Sequence, residues 1–377
     1  QGWSIRRSEL SGHEKQWVEE FERLPMWLAR RCNEDIVAMS RESHELWESW
    51  MLREPTLFEA SYLRKGILRV FADPAHFERK VSVQERIGAT KRVLSPSEIA
   101  SEHPALKDAV DAGHVVGGID GIGFTVRAHE FMKQLIDRLE ERGTEFDWRV
   151  TAHGLARGSD HSVVAVHTDK GVIAASHFVL SPGAYGNALL EGTKSHDRIH
   201  GVLGVWVRLP NIAPQLTTSI KLSGTGHAMA AANVALSTDG SGQQWLIFGS
   251  GYGHTGVDPK NIDQKLVQRM YDGIAVLAAT YFPKAYTAAD IHDGVSSTFK
   301  CCVRAWTASG LGVFETLETA QGGRCVITGG HNTGGFAQAT AVAEAVLAAL
   351  ERRNHEMHSL YRPDRVSSFL GLQPSVA

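Results

Sequence analysis

The stretch from Cys325 to Phe336, Cys-Val-Ile-Thr-Gly-Gly-His-Asn-Thr-Gly-Gly-Phe, constrains this chain more than any other. An apolar run with strand character, Cys325 to Thr328, enters a turn with four glycines in the seven positions Gly329 to Gly335. It leaves in an alanine-rich run, Phe336 to Arg352, with the composition of a helix. Such a turn leaves backbone N–H groups uncovered at the positive end of a helix, which suits an anion or an electron-rich ligand edge. It serves equally as a tight strand-to-helix turn with no ligand, and glycine content alone does not separate the two.

Similar alternations fill the rest of the sequence. Ser11 to about Met51 carries apolar residues at helical spacing and is broken at Pro25. Tyr62 to Phe71 and Ser82 to Ile87 read as strand or mixed segments, and Ser95-Pro96-Ser97-Glu98 as a helix start. Arg127 to Gly143 is an amphipathic helix with Phe131, Leu135, Ile136 and Leu139 on one face. Strand signals follow at Glu145 to Thr151, His161 to His167, Val172 to Ala175 and Phe178 to Leu180, the last ending in Ser181-Pro182-Gly183. A second strand-rich block runs from Gly201 to Ser250, and Asp258-Pro259 opens a helix through Leu277. The expected class is α/β or α+β with more than one sheet, in one large or two intermediate domains.

Composition narrows the partners. The 39 Lys+Arg against 42 Asp+Glu give a net charge of −3 with no basic block, so a polyanion such as nucleic acid is not expected. The apolar stretches are broken by charge before the roughly 18 to 20 residues that span a bilayer, so no transmembrane helix is expected. Four cysteines, Cys32, Cys301, Cys302 and Cys325, are too few for a disulfide framework and point to a reducing, cytoplasmic setting, with peripheral membrane association left open. Position 1 is Gln rather than Met, so the numbering is expected to start inside a longer product or after processing.

Two further patterns bear on chemistry. Arg304 stands among apolar and aromatic neighbours in Cys302-Val303-Arg304-Ala305-Trp306-Thr307, where a guanidinium needs an anionic partner. That partner is either a substrate carboxylate or an ordinary structural acid. Gly251-Tyr252-Gly253-His254-Thr255-Gly256 satisfies GxGxxG, but Asp258-Pro259 places the next helix too late for a phosphate loop. Motifs of P-loop proteins, zincins and α/β-hydrolases are missing, no metal site is expected, and His355 and His358 read as solvated surface residues.

Together the two C-terminal stretches resemble the D-amino-acid-oxidase-like FAD oxidoreductases, which include glycine and sarcosine oxidases, D-amino-acid dehydrogenases and opine oxidases. The resemblance rests on Arg304, Thr307 and Gly310 standing ahead of Gly330, His331, Asn332 and Gly335, with Phe178 to Tyr185 similar to a strand entering a second FAD-contacting loop. It implies a Rossmann-like FAD-binding domain with a substrate domain built on an antiparallel sheet. It further implies that Arg304 binds the substrate carboxylate, and that Gly329, Gly330, His331, Asn332, Thr333, Gly334, Gly335 and Phe336 line the flavin. Ser181, Gly183, Val150 and the first residues Gln1, Gly2, Trp3 and Ser4 would contact FAD as well, and Cys302 lies where some members attach it covalently. The implied reaction is hydride transfer from an amino acid or N-substituted, opine-type amino acid to the flavin, giving an imine that water hydrolyses.

The family's opening strand–GxGxxG–helix unit has no counterpart at the start of this sequence, where Gln1 to Arg6 resembles the segment that follows it. The FAD domain, expected over residues 1–50, 95–200 and 298–377, would therefore be incomplete, with the substrate domain over 51–94 and 201–297. The missing unit is expected on a second polypeptide. A 2-hydroxy acid as donor, and a flavin-free non-catalytic subunit, are the alternatives.

Overall fold

Helix α1 (Gly12–Arg23) is set by a reciprocal cap, in which the Glu14 amide donates to Ser11 Oγ and the Ser11 amide to the Glu14 carboxylate. Pro25 ends that run and precedes α2 (Met26–Arg53), whose buried side includes Leu28, Cys32, Met39 and Trp47. This is the structure of a computed structural model describing residues 3–223, 231–289 and 299–371. Next come α3 (Pro55–Ala60), β1 (Arg64–Phe71), α4 (Pro74–Arg86), β2 (Thr90–Leu94), α5 (Pro96–Glu102), α6 (Lys107–Asp111), β3 (Gly117–Thr125) and α7 (Ala128–Glu141). The middle of the chain forms β4 (Ala152–Arg157), β5 (Val163–Thr168), β6 (Gly171–Ala174), β7 (Phe178–Leu180), β8 (His200–Pro210), β9 (Ile220–Ser223), β10 (Ala231–Thr238) and β11 (Gln244–Gly256). Helices α8 (Gln264–Tyr281) and α9 (Pro283–Ala288) lead to β12 (Phe299–Trp306), β13 (Val313–Glu318) and β14 (Arg324–Gly329). Three helices close the described chain: α10 (Gly335–Leu350), α11 (Glu356–Leu360) and α12 (Arg365–Leu370).

The largest sheet has eight strands in the order β12-β8-β11-β10-β9-β1-β3-β2, antiparallel except at β1 and β9. Because alternate residues face opposite ways, its two faces are read from the register. Leu68, Val70, Leu203, Val205, Val207, Ile220, Leu222, Val234, Leu246 and Phe248 form one face, packed on α8 residues Met270 and Ile274. Arg304, Trp206 and Lys221 stand on the other. A three-stranded sheet, β13-β14-β7, pairs β14 with β7 in parallel, and a third sheet is the β4-β5-β6 meander. Strands β3 and β12, within the ranges expected to bind FAD, run in the eight-stranded sheet.

Four local expectations differ from the structure. Ser82 to Ile87 is the end of α4, because Asp73 caps the His76 amide at 2.6 Å and Pro74 starts a helix that the short Val81/Val83 alternation does not interrupt. Glu145 to Thr151 forms no strand; Arg149 sits at φ 60°, and β4 begins only at Ala152. Asp258 organises a turn rather than a helix, and Asp263 caps α8 by accepting from the Lys265 and Leu266 amides at 2.9 and 3.2 Å. His355 and His358 are not solvated surface residues: His355 caps α11 and pairs with Glu42 at 2.9 Å, and His358 bonds the Ala345 carbonyl at 2.9 Å.

Candidate active site at the junction of two sheets

The two C-terminal stretches meet. Trp306, the last residue of β12, bridges antiparallel to His331, and the Thr307 amide donates to Asn332 Oδ1 at 3.0 Å. Asn332 adopts φ 55°, and Asn332–Gly334 makes one tight turn before α10. Gly330 is at φ 68°, and a Cβ there would lie 2.8 Å from Thr307 Cγ2. Gly330→Ala should therefore cost about 1 to 3 kcal/mol through backbone strain and contact with Thr307. Urea unfolding would measure this, and a variant as stable as the parent would show that the turn relaxes freely.

Helix α2 sets where α10 begins. Ser43 Oγ donates to the Ala337 carbonyl at 2.6 Å, Trp47 Nε1 donates to the same oxygen at 3.2 Å, and Thr340 Oγ1 donates to the Ser43 carbonyl at 2.9 Å. Alanines 341, 345, 348 and 349 are buried on α10, whose small side chains allow close approach of α2. Phe336 stacks on Trp47 with ring centroids 5.2 Å apart, so its ring belongs to the α2–α10 contact while its backbone opens the helix. His331 is enclosed between Thr328, at 3.1 Å, and Tyr361, and burial pulls its pKa down to about 4. It is a neutral ring at ordinary pH.

Parallel pairing of β7 with β14 brings Ser181 and Gly183 to the end of the sheet where Gly329 and Gly330 also lie. A Cβ on Gly329 would come within 4.0 Å of Pro182, whereas one on Gly183, at φ 63°, would meet nothing within 4 Å. Ligands characteristically bind beyond the carboxyl ends of parallel strands, where loops diverge. Val150 lies in the connector before β4, outside any strand. Gln1 and Gly2 fall outside the described residues.

Two residues before the Trp306 bridge, Arg304 packs across β8 and β11. Its Nη2 donates to the Gly251 carbonyl, its guanidinium lies 5.1 Å from the centre of the Tyr252 ring, and its Nε has no hydrogen-bond partner. Among the described residues it meets no carboxylate, and burial lowers its pKa from the ordinary value. Gly204 makes room for it, since a Cβ there would sit 2.8 Å from Nη2. Trp3 closes the aromatic surround, 4.9 Å from Trp306 and 5.9 Å from Tyr252. Ser4 holds it there by bridging to Gly253, its amide donating to the Tyr252 carbonyl at 3.0 Å. Trp306 Nε1 is a second buried donor with no partner. Cys302 shares this strand face with Arg304; it is solvent-accessible, yet the surrounding protein desolvates its thiol enough to raise the pKa.

The GxGxxG pattern lies inside β11, where its glycines permit close packing. Cβ atoms at Gly251 and Gly253 would reach Met270 and Leu266 of α8 at 2.7 and 2.6 Å, and Gly256 is covered by Glu14. Sequence reading passed over Tyr252 and Gly204, which touch Arg304 only through strand register. It also passed over His200 and His254, hydrogen-bonded to each other at 3.0 Å beneath the Trp17 ring.

Comparison with known proteins places the fold and the family. A D-amino acid dehydrogenase of Neisseria meningitidis is 27% identical over 184 residues, which span 47% of this chain and 42% of that protein. Glycine oxidase from Geobacillus kaustophilus superposes with a TM-score of 0.64 at 18% identity, covering 85% of this chain and 80% of that one. L-proline dehydrogenase from P. horikoshii does so with a TM-score of 0.66 at 17% identity, covering 88% and 83%. Residues 8–349 match the family described as FAD dependent oxidoreductase (DAO), and with nine-tenths of its length inside that match this chain belongs to the DAO family of FAD-dependent oxidoreductases.

Proposed function

We propose that this chain oxidises an amino acid, or an N-substituted amino acid of the opine type, to an imine that water then hydrolyses. The observation that carries the reading is Arg304, a half-buried guanidinium without a carboxylate partner among the described residues, two residues from the joint between β12 and the glycine turn. FAD, the family's cofactor, supplies the hydride acceptor when bound. The residues present suit it: exposed Ser181 and Gly183, exposed Thr333 in the glycine turn, the positive end of α10, and unpartnered donors at Arg304 Nε and Trp306 Nε1.

On this reading Arg304 takes the substrate carboxylate in a two-pronged hydrogen bond and so orients the α-carbon. Trp3, Tyr252 and Trp306 shield that pair from water, which strengthens it. His200 and His254 are covered by Trp17 and bonded to each other, so neither of these two deprotonates the amine, which reacts as the free base. Cys302 stays a thiol, because a raised pKa disfavours the thiolate. Flavin remaining on the denatured chain would reverse that last assignment.

The pyrophosphate cradle is proposed to come from a second polypeptide that adds a strand beside β7. Among the described residues β7 has no partner on its outer edge, and Val179 on it is 48% exposed. The neighbouring groove on α10 is apolar, with Val342, Val346 and Leu347 along it. Asn332–Leu350 is long and apolar enough to cross a membrane by length and composition, yet only 28% of its most apolar window is buried. A parallel strand followed by a helix would cover both surfaces.

The test is anaerobic bleaching of the flavin by amino acids, N-carboxyalkyl amino acids and 2-hydroxy acids, each supplied to the flavin-loaded protein. Bleaching by the amines is expected. Bleaching by hydroxy acids alone would reassign the donor, and a preparation that stays colourless with FAD and every co-purifying subunit present would leave a non-catalytic subunit.

A further inference from the structure

The sheet face that carries Arg304 holds a second group of cations that the proposed reaction does not use. Arg69 of β1 and Lys221 of β9 are register partners in the parallel pair, so their side chains project side by side from adjacent strands. The register ties them to the Arg304 face: Lys221 is opposite Asn233, Asn233 opposite Gly249, Gly249 opposite Trp206, and Trp206 opposite Lys300. Lys300 and Arg304, four apart on β12, share a face. Helix α4 lies over the same side, since Phe77 packs on Phe71 with centroids 5.3 Å apart.

Neither cation is balanced. Among the described residues neither Arg69 nor Lys221 has an ion pair or a side-chain hydrogen bond. Both are half-buried. Burial lowers the pKa of each, and that of Lys221 is lowered further by Arg69 and by Lys80 of α4. Two partly desolvated cations on adjacent strands, with the exposed Lys80 beside Lys221, lack the anion that ordinarily offsets such burial. Four strand spacings separate β9 from β12, roughly 19 Å, which is beyond the reach of a small amino acid held at Arg304.

We propose that Arg69, Lys221 and Lys80 form an oxyanion site that takes a carboxylate or phosphate group. The assignment stands whether or not the flavin reading holds, because it uses none of the residues of that reading. The group is either the acidic far end of an elongated substrate or a free small anion.

Thermal unfolding of the full chain in inorganic phosphate, in citrate and in chloride at matched ionic strength tests the site. Phosphate or citrate should raise the melting temperature saturably where chloride does not. Lys221→Met should weaken that effect about tenfold, as expected for losing one charge-assisted contact. Lys221→Arg should retain it. In anion-free buffer Lys221→Met should also melt higher than the parent, because an unpaired charge has been removed, and this readout reports on folding of the variant as well. Turnover separates the two sources: competition by phosphate against substrates with a distal carboxylate alone identifies the substrate's own end, and an unchanged KM with the thermal shift intact identifies a free anion. No saturable shift in the parent, an equal shift in chloride, or an undiminished shift in Lys221→Met would overturn the proposal.

Discussion

Arg304→Met is expected to lower kcat/KM for carboxylate-bearing amines by about two to three orders of magnitude, or about 3 to 4 kcal/mol, with flavin content unchanged. The size follows from the environment. Among the described residues the guanidinium has no carboxylate partner, its Nε is unsatisfied, and the aromatic rings of Trp3, Tyr252 and Trp306 limit screening by water. Methionine keeps much of the aliphatic stem and removes the charged guanidinium that lies over Gly204. Arg304→Lys should recover only part of the loss, since an ammonium donates without the planar fork. Gly204→Ala should act in the same direction more weakly, by displacing the guanidinium from the space that a Cβ would take. Steady-state kinetics with a matched pair of substrates, with and without the carboxylate, gives the readout, and an equal loss on both would remove the clamp from Arg304.

Acid is expected to destabilise the fold well above the range in which carboxylates titrate. His254 and His331 have pKa values pulled down to about 4, chiefly by burial, and His200 lies well below its ordinary value because of burial and the adjacent His254. Each binds a proton more readily in the unfolded chain, so the stability that neutral rings confer is present above about pH 6.5 and is lost as pH falls through that value towards 4. A drop of about 2.5 pH units at 1.36 kcal/mol each makes His331 worth about 3 kcal/mol. His200 and His254 share one buried N–H···N hydrogen bond beneath Trp17, and a proton added to either ring places a charge in that covered site. Urea midpoints should fall steadily from pH 7 to about pH 5, and His254→Gln should flatten the slope while lowering stability at pH 7. A slope untouched by His254→Gln would assign the acid sensitivity elsewhere.

Where a few neighbouring residues decide the outcome, the sequence was readable. The strand Phe178–Leu180, the glycine turn and α7 follow from turn residues and periodicity close in the chain. Membership of the FAD-dependent family follows from two short stretches whose juxtaposition in space is the structure's main addition. Long-range contacts were the obstacle elsewhere. Gly251 and Gly253 look like a phosphate loop because nothing local reveals that Met270 and Leu266 must lie against them. Tyr252 meets Arg304 by way of irregular register between β11 and β8, which no spacing in the sequence encodes. Val81 and Val83 alternate like a strand until Asp73 and Pro74, farther back, start a helix that includes them.

The bridge from Trp306 to His331, reinforced by Thr307 and Asn332, works as a rivet between the β12 edge and the turn after β14. Arg304 is only two residues from it, about 7 Å of strand, so flexing of one sheet against the other pivots near the clamp and barely changes the span between guanidinium and glycines. On the proposed reading of Arg304, substrate would then enter past side chains such as Trp3 without a change in that span.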